Sequence, residues 1–251
     1  MNLLSDPVTL AVACLAVVIV GMGKGGFTGV GALATPMLAL QLPPVTAAAV
    51  MLPVLIAQDA VSVWSFRHSW DKWIVGWMLP GAVVGIAAAT YYAAAVSEEL
   101  MLLALGVITL AFGLYRLWVE RGGRIVAASN SPGWVGSLFG IAVGATSQIA
   151  HAGGPPFQMW VTPRKLPVAT YVGTNSVLFA LINLIKVPGY VMLGSLNRET
   201  LGTAALLLPL AIASTLVAVR IVRRLDNARF YSLVNWLMVL LGSKLVWDGV
   251  M

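Results

Sequence analysis

The sequence predicts an all-α polytopic membrane protein made of two inverted-topology repeats. Each repeat has about five helical segments, one of them broken or half-length, for roughly 8–10 membrane segments in all. Three observations carry this expectation: composition, the length of the apolar runs, and a helix break that occurs twice. Hydrophobic residues make up 59% of the 251 residues and charged residues 10%, and the mean hydropathy is +0.91. That leaves too little polar surface to cover a water-soluble globule.

Apolar runs begin at Val8, Val45, Trp73, Leu100, Trp134, Val168, Leu201 and Phe230. Each is about 18 to 25 residues long, enough to cross ~30 Å of hydrocarbon. The first is interrupted at Gly21-Met22-Gly23-Lys24-Gly25-Gly26-Phe27. Counting 123 positions on aligns Gly21 with Gly144, Gly31 with Gly154, Pro44 with Pro167 and Val45 with Val168, so a second break falls between Gly144 and Pro156. An offset of 129 pairs Leu79-Pro80 with Leu208-Pro209, Gly113 with Gly242 and Trp118 with Trp247. The repeat therefore spans nearly the whole chain, as residues 1–120 and 133–251 around a linker at 121–132.

Basic residues gather at Arg67, His68 and Lys72, at Arg116, Arg121 and Arg124, and at Arg220, Arg223, Arg224 and Arg229. These loops are expected to face the cytoplasm, and the Lys- and Arg-free turn at Val96–Glu99 and tail at Asp248–Met251 the other side. Equivalent loops of the two halves differ in charge, because the basic Arg67 loop matches Ser195–Thr200 while Ser97-Glu98-Glu99 matches the Arg-rich region around Asp226. Unequal charge at equivalent loops implies inversion, which requires an odd number of crossings per half. The 34 residues from Val8 to Gln41 would form a helix of roughly 51 Å, too long for one span and short for two. Helical segments are accordingly expected at about 8–23, 28–41, 44–67, 73–95 and 98–119, and at 133–148, 152–163, 167–193, 198–222 and 229–249. Trp64, Trp70, Trp73, Trp77, Trp134 and Trp160 read as an aromatic belt at the interfaces.

A broken helix strands backbone N–H and C=O groups, so within a bilayer it is tolerated only against protein or a watery cavity. Two half-helix N-termini converging on such a cavity would favour a small anion, and paired breaks point to a transporter. The candidate substrate-binding residues are Lys24, Gly25, Gly26, Thr28, Ser147, Gln148, His151, Gly153, Gly154, Thr174 and Asn175. Lys24 either serves the substrate or snorkels to an interface. His151 is a candidate proton-coupling group, with Asp59 as a second. Asp59, Asn183 and Lys186 are further polar residues within spans, and Asp59 and Lys186 either pair or reach headgroups.

Other classes fit poorly. The chain has one cysteine and two histidines, with no His-Glu-x-x-His and no Gly-x-Ser-x-Gly, so no metal site, cofactor or enzymatic chemistry is expected. Its basic residues sit in short loops between spans, against a nucleic-acid partner. The residues ahead of the first run lack a basic n-region and a small-residue cleavage site, so that helix is expected to be retained. A homodimer is compatible with this reading.

At the breaks the chain resembles the TauE/SafE family, also called the sulfite exporter or TSUP family. The resemblance rests on Gly21-x-Gly-Lys-Gly-Gly26 with Thr35-Pro36-Met37-Leu38, on His151-Ala-Gly-Gly-Pro-Pro156 with Thr162-Pro163, and on Val172-Gly-Thr-Asn-Ser176. It covers essentially the full length. It implies a secondary transporter for small sulfur-containing anions such as sulfite or organosulfonates, in a bacterial inner membrane. Lys24 departs from the pattern, standing where many relatives have glycine or another small residue.

Overall fold

A computed structural model describes residues 6–26, 29–93, 95–123, 130–221 and 228–251, with the backbone alone at 228–231, 233 and 234. Thr28, Arg124, Arg223, Arg224 and Asp226, which carry part of the site and topology expectations, lie outside the described residues. The described residues form ten α-helices and no strand: α1 (Pro7–Gly25), α2 (Ala34–Leu38), α3 (Pro44–Phe66), α4 (Lys72–Ala93), α5 (Glu98–Glu120), α6 (Gly133–Ala150), α7 (Gly154–Val161), α8 (Val168–Met192), α9 (Arg198–Ile221) and α10 (Ala228–Val250). Among the described residues six helices, α1, α3, α4, α5, α8 and α9, are long and apolar enough to cross a membrane. The chain is an all-α polytopic membrane protein.

Helix starts follow capping chemistry. Asp6 accepts from Thr9 N–H ahead of Pro7, Asp71 from Trp73 and Ile74, Ser97 from Leu100 and Asn197 from Glu199 and Thr200. Each satisfies amides that a helix start leaves unpaired. Pro43 and Pro167 precede α3 and α8 with nearly the same backbone, φ −50° ψ 140° and φ −52° ψ 141°. The structure thus sets Pro43 opposite Pro167, one residue away from the pairing of Pro44 with Pro167 read from sequence.

Two expected segments differ. α1 does not stop at 23 but continues through Lys24 to Gly25. The segment expected at 28–41 is not one helix: a 3₁₀ turn over Val30–Leu33 leads into the five-residue α2. Gly29, at φ 91°, starts it outside helical conformation, Pro36 removes a donor, and Pro43-Pro44 bars helix beyond Leu42.

α3 and α8 pack on each other at the centre. α9 lies against α3 and α1, α4 lies against α8 and α6, and α5 pairs with α10. Exchanging the two halves converts each of these contacts into another of the same set. The interfaces are made of small residues. A Cβ on Gly85 would meet the Ile141 carbonyl at 2.1 Å, one on Gly144 the Ala82 carbonyl at 2.1 Å, and one on Gly25 the Ala218 Cβ at 2.3 Å. Such backbone-to-backbone approach is how helices associate where lipid removes the hydrophobic incentive. Large apolar side chains such as Val8, Leu15, Trp64, Leu138 and Leu206 face outward, while Lys24, Asp59 and Lys186 are buried, the reverse of a soluble domain.

Trp160 departs from the expected interfacial belt. It is 0% exposed, stacks on Trp73, lies under the Arg164 guanidinium and donates to Ser131 Oγ. Burial of a large ring with its N–H satisfied clamps α7 to the start of α4.

The packing predicts that Gly85→Leu destabilises the fold by about 1–3 kcal/mol or more through overpacking. Gly76→Leu, on the same helix with nothing within 4 Å, should leave stability unchanged. Thermal unfolding of the two variants in detergent checks this.

Candidate functional site

Both breaks end in left-handed or glycine-only backbone. α1 closes at Gly26, φ 124°, which leaves Lys24 on the last helical turn with its side chain turned into the bundle. Lys24 is 8% exposed, so it does not snorkel. α6 closes at His151, φ 51° ψ 26°, a conformation costing a side-chain-bearing residue roughly 1–2 kcal/mol. Tertiary contacts hold it there. Its Nε2 donates to the Ala48 carbonyl at 2.9 Å and its ring stacks on Tyr190. Backbone strain held by surrounding contacts marks functional positions more often than ordinary ones.

From His151 a chain of polar side chains crosses the bundle. His151 Nδ1 lies 2.5 Å from Lys186 Nζ. Lys186, 0% exposed, also donates to the Ser147 carbonyl at 2.9 Å and to Asn183 Oδ1 at 3.0 Å. Asn183 Nδ2 donates to Asp59 Oδ2 at 2.6 Å. Asp59 Oδ1 receives Lys24 Nζ at 2.5 Å, and the Lys24 ammonium faces the Phe179 ring. Asp59 therefore pairs with Lys24 and reaches Lys186 only through Asn183; it does not reach headgroups. The chain joins α1, α3, α8 and the α6–α7 break, and every charge in it meets an opposite charge or a dipole.

Beside this chain lies a cavity of about 70 Å³, lined by both breaks. A water needs on the order of 10–15 Å³ on this measure, so the cavity has room for a molecule of a few heavy atoms. Lys24, Ser147, His151, Gln158, Asn175 and Asn183 supply its polar wall, with Gly29, Gly31 and Gly154 letting the backbone approach. Arg116 of α5 donates to Gln158 Oε1 at 2.7 Å, its guanidinium standing beside Gly29.

The structure therefore sorts the sequence candidates. Lys24, Ser147, His151, Gly154 and Asn175 line the cavity. Gly25 packs on Ala218 and Gly153 against Phe179 and Val143; Gly26 ends α1. Gln148 faces away, lining a separate cavity of about 20 Å³ with Tyr190. Thr174 Oγ1 receives the Asp71 N–H at 2.8 Å, fastening the α3–α4 turn. The positive end of the site is also built differently from the sequence expectation. In the first turn of α7, Pro155 and Pro156 have no N–H, and Phe157 N–H bonds Gly153 O, so α7 offers few open amides. In the first half α2 is too short to act as a half-helix. Side-chain cations supply the charge instead.

Asn183, Lys186, Gln158, Phe179 and Arg116 were outside the candidate set. Four residues of α8 carried a readable signal: Asn175, Phe179, Asn183 and Lys186 follow each other at spacings of four, four and three, one face of a helix.

Removing one partner of a buried ion pair strands the other charge, at a cost of about 3–5 kcal/mol. Asp59→Leu is therefore expected to destabilise by about that amount, and Lys24→Met with Asp59→Leu to recover most of the loss. A double-mutant cycle from thermal unfolding reads the coupling directly.

A family model described as sulfite exporter TauE/SafE matches residues 13–245. No curated protein matches the chain, and no solved structure does. The match takes in both breaks, all of α2 to α9 and most of α1 and α10. The chain belongs to the sulfite exporter TauE/SafE family.

Proposed function

We propose that this chain is a secondary transporter of small sulfur-containing anions, sulfite or an organosulfonate, working by alternating access. The observation that carries the reading is the cavity where both helix breaks meet, with Lys24 on its wall and Lys186 directly behind His151 and Ser147. Its size suits a small anion, its cations supply attraction, and the family match names sulfite. Lys24, Ser147, His151, Asn175 and Asn183 act as substrate contacts.

The repeat supports alternating access. Two halves whose contacts interchange can rock against one another around a fixed central site, and the α3–α8 contact lies where such an exchange axis would pass. The basic loops favour Arg67–Lys72 on the cytoplasmic side and the C-terminal tail on the periplasmic side, and the family supports a bacterial inner membrane as the location. Coupling to a proton is assigned to His151, whose ring touches both the cavity and Lys186.

Uptake into proteoliposomes is the test, with sulfite, thiosulfate, sulfoacetate, taurine and acetate, with and without an inward proton gradient. Saturable uptake of one sulfur anion is expected, falling about tenfold or more in Lys24→Ala, the scale of one lost charge-assisted hydrogen bond. Response to acetate alone would reject the sulfur substrate, and non-saturating flux would indicate a channel.

The proton assignment makes a separate prediction. His151→Asn, which keeps a residue tolerant of the left-handed backbone, should remove the stimulation of uptake by an inward proton gradient. Uptake lowered by the same factor at every pH would reject the assignment.

A further inference from the structure

Gln158 lines the cavity from α7. It is 6% exposed, and its amide has one workable orientation. Arg116 of α5 meets one end of that amide at 2.7 Å. A guanidinium has donors and no acceptor, so the end it meets is the carbonyl oxygen, and the NH2 is turned away from it.

The NH2 lies at the cavity wall, between the two breaks. Nε2 is 3.5 Å from the point that a Cβ on Gly29 would occupy and 4.0 Å from the point for one on Gly154. Gly29 stands just past the first break and Gly154 at the end of the second, and both line the cavity. At φ 91° Gly29 holds a backbone that only glycine adopts readily, and the missing side chain leaves the amide its room. Among the described residues Gln158 makes one side-chain hydrogen bond, that from Arg116, and no acceptor meets Nε2.

Arg116 in turn has no carboxylate partner among the described residues, whose ion pairs are Lys24–Asp59 and Lys244–Asp248. Its charge is met by the Gln158 amide, while Arg116 itself does not line the cavity. A cation drawing on the amide oxygen polarises the whole amide, and hydrogen bonds in such a chain strengthen one another. Gln158 thus passes the pull of Arg116 to two N–H groups on the cavity wall.

We infer that Gln158 donates to the oxygens of the transported anion and that Arg116 is a positioning residue, holding the amide with its NH2 toward the cavity. This rests on the anion-carrier reading above and adds to it a contact from α7, the segment that follows the second break. A sulfonate oxygen, which only accepts, suits such a donor.

Calorimetry on full-length protein in lipid nanodiscs, with methanesulfonate as the probe, tests this beside thermal unfolding of each variant. Gln158→Glu is nearly isosteric and keeps an oxygen for Arg116, now in an ion pair, but turns the NH2 on the cavity side into a carboxylate oxygen. A glutamine that served only the fold would tolerate this change. The expected result is a melting temperature at or above that of wild type with methanesulfonate bound about a hundredfold more weakly, through a lost donor and a like charge. Gln158→Leu removes the donor without adding charge and should cost about tenfold. Arg116→Met should also cost about tenfold in wild type, and less than about twofold further in the Gln158→Leu background, where it has no amide left to orient.

Methanesulfonate bound within about twofold of wild type by Gln158→Glu, or by Gln158→Leu if the former lowers the melting temperature, overturns the donor role and leaves a carrier. A loss from Arg116→Met that is as large in the Gln158→Leu background as in wild type overturns the positioning role. Wild type that binds neither methanesulfonate nor sulfite overturns the carrier reading and this inference with it.

Discussion

A lysine buried in a bilayer has to be met by acceptors fixed in place, because neither water nor lipid tails will supply them. Two such lysines share one carboxylate, Lys24 by direct contact with Asp59 and Lys186 through Asn183. Asn183 is the hinge of that arrangement. Its amide offers hydrogen to Asp59 on one side and oxygen to Lys186 on the other, so one side chain meets an anion and a cation with opposite ends of its dipole. Four separate segments must hold position for the chain to close, which ties the breaks to the central α3–α8 contact.

The glycines make that closeness available. α6 approaches α4 until Gly144 meets the Ala82 carbonyl, and α1 approaches α9 until Gly25 meets Ala218. The breaks can then end deep in the bundle and still find partners, as His151 does at Ala48 and Tyr190. Residues that look like site glycines in the sequence thus divide into two kinds. Gly154 borders the cavity, whereas Gly25 and Gly153 let helices and rings press together behind it.

Much of the fold was legible because bilayer constraints act on composition and run length. The starts of α3, α5, α6 and α9 and both breaks follow from apolar runs punctuated by Pro, Gly and capping residues. The residues after the first break were less so, because Gly29, Gly31 and Pro36 leave helix and 3₁₀ turn close in energy and tertiary contact decides. Within the site, Lys24 and His151 stood out as polar residues at breaks. Their partners did not, since Asp59 lies 35 residues from Lys24 and Lys186 the same distance from His151, separations that no local period encodes. Thr174 and Gln148 lie off this cavity, because a helix beside a cavity has several faces and sequence alone does not say which one turns inward. The α8 stripe from Asn175 to Lys186 was the missed clue.

As the substrate site of a carrier, the cavity between the breaks should open to one side at a time. Asn175→Cys, on a Cys14→Ser background so that the new thiol is the sole one, places a reporter on the cavity wall. Modification by a membrane-impermeant charged thiol reagent, added from either face of oriented vesicles with and without methanesulfonate, is the measurement to make. For a carrier the thiol should be reached from each face, and the anion should slow its modification. A thiol reached from neither face, or reached equally with and without any transported anion, would contradict a carrier.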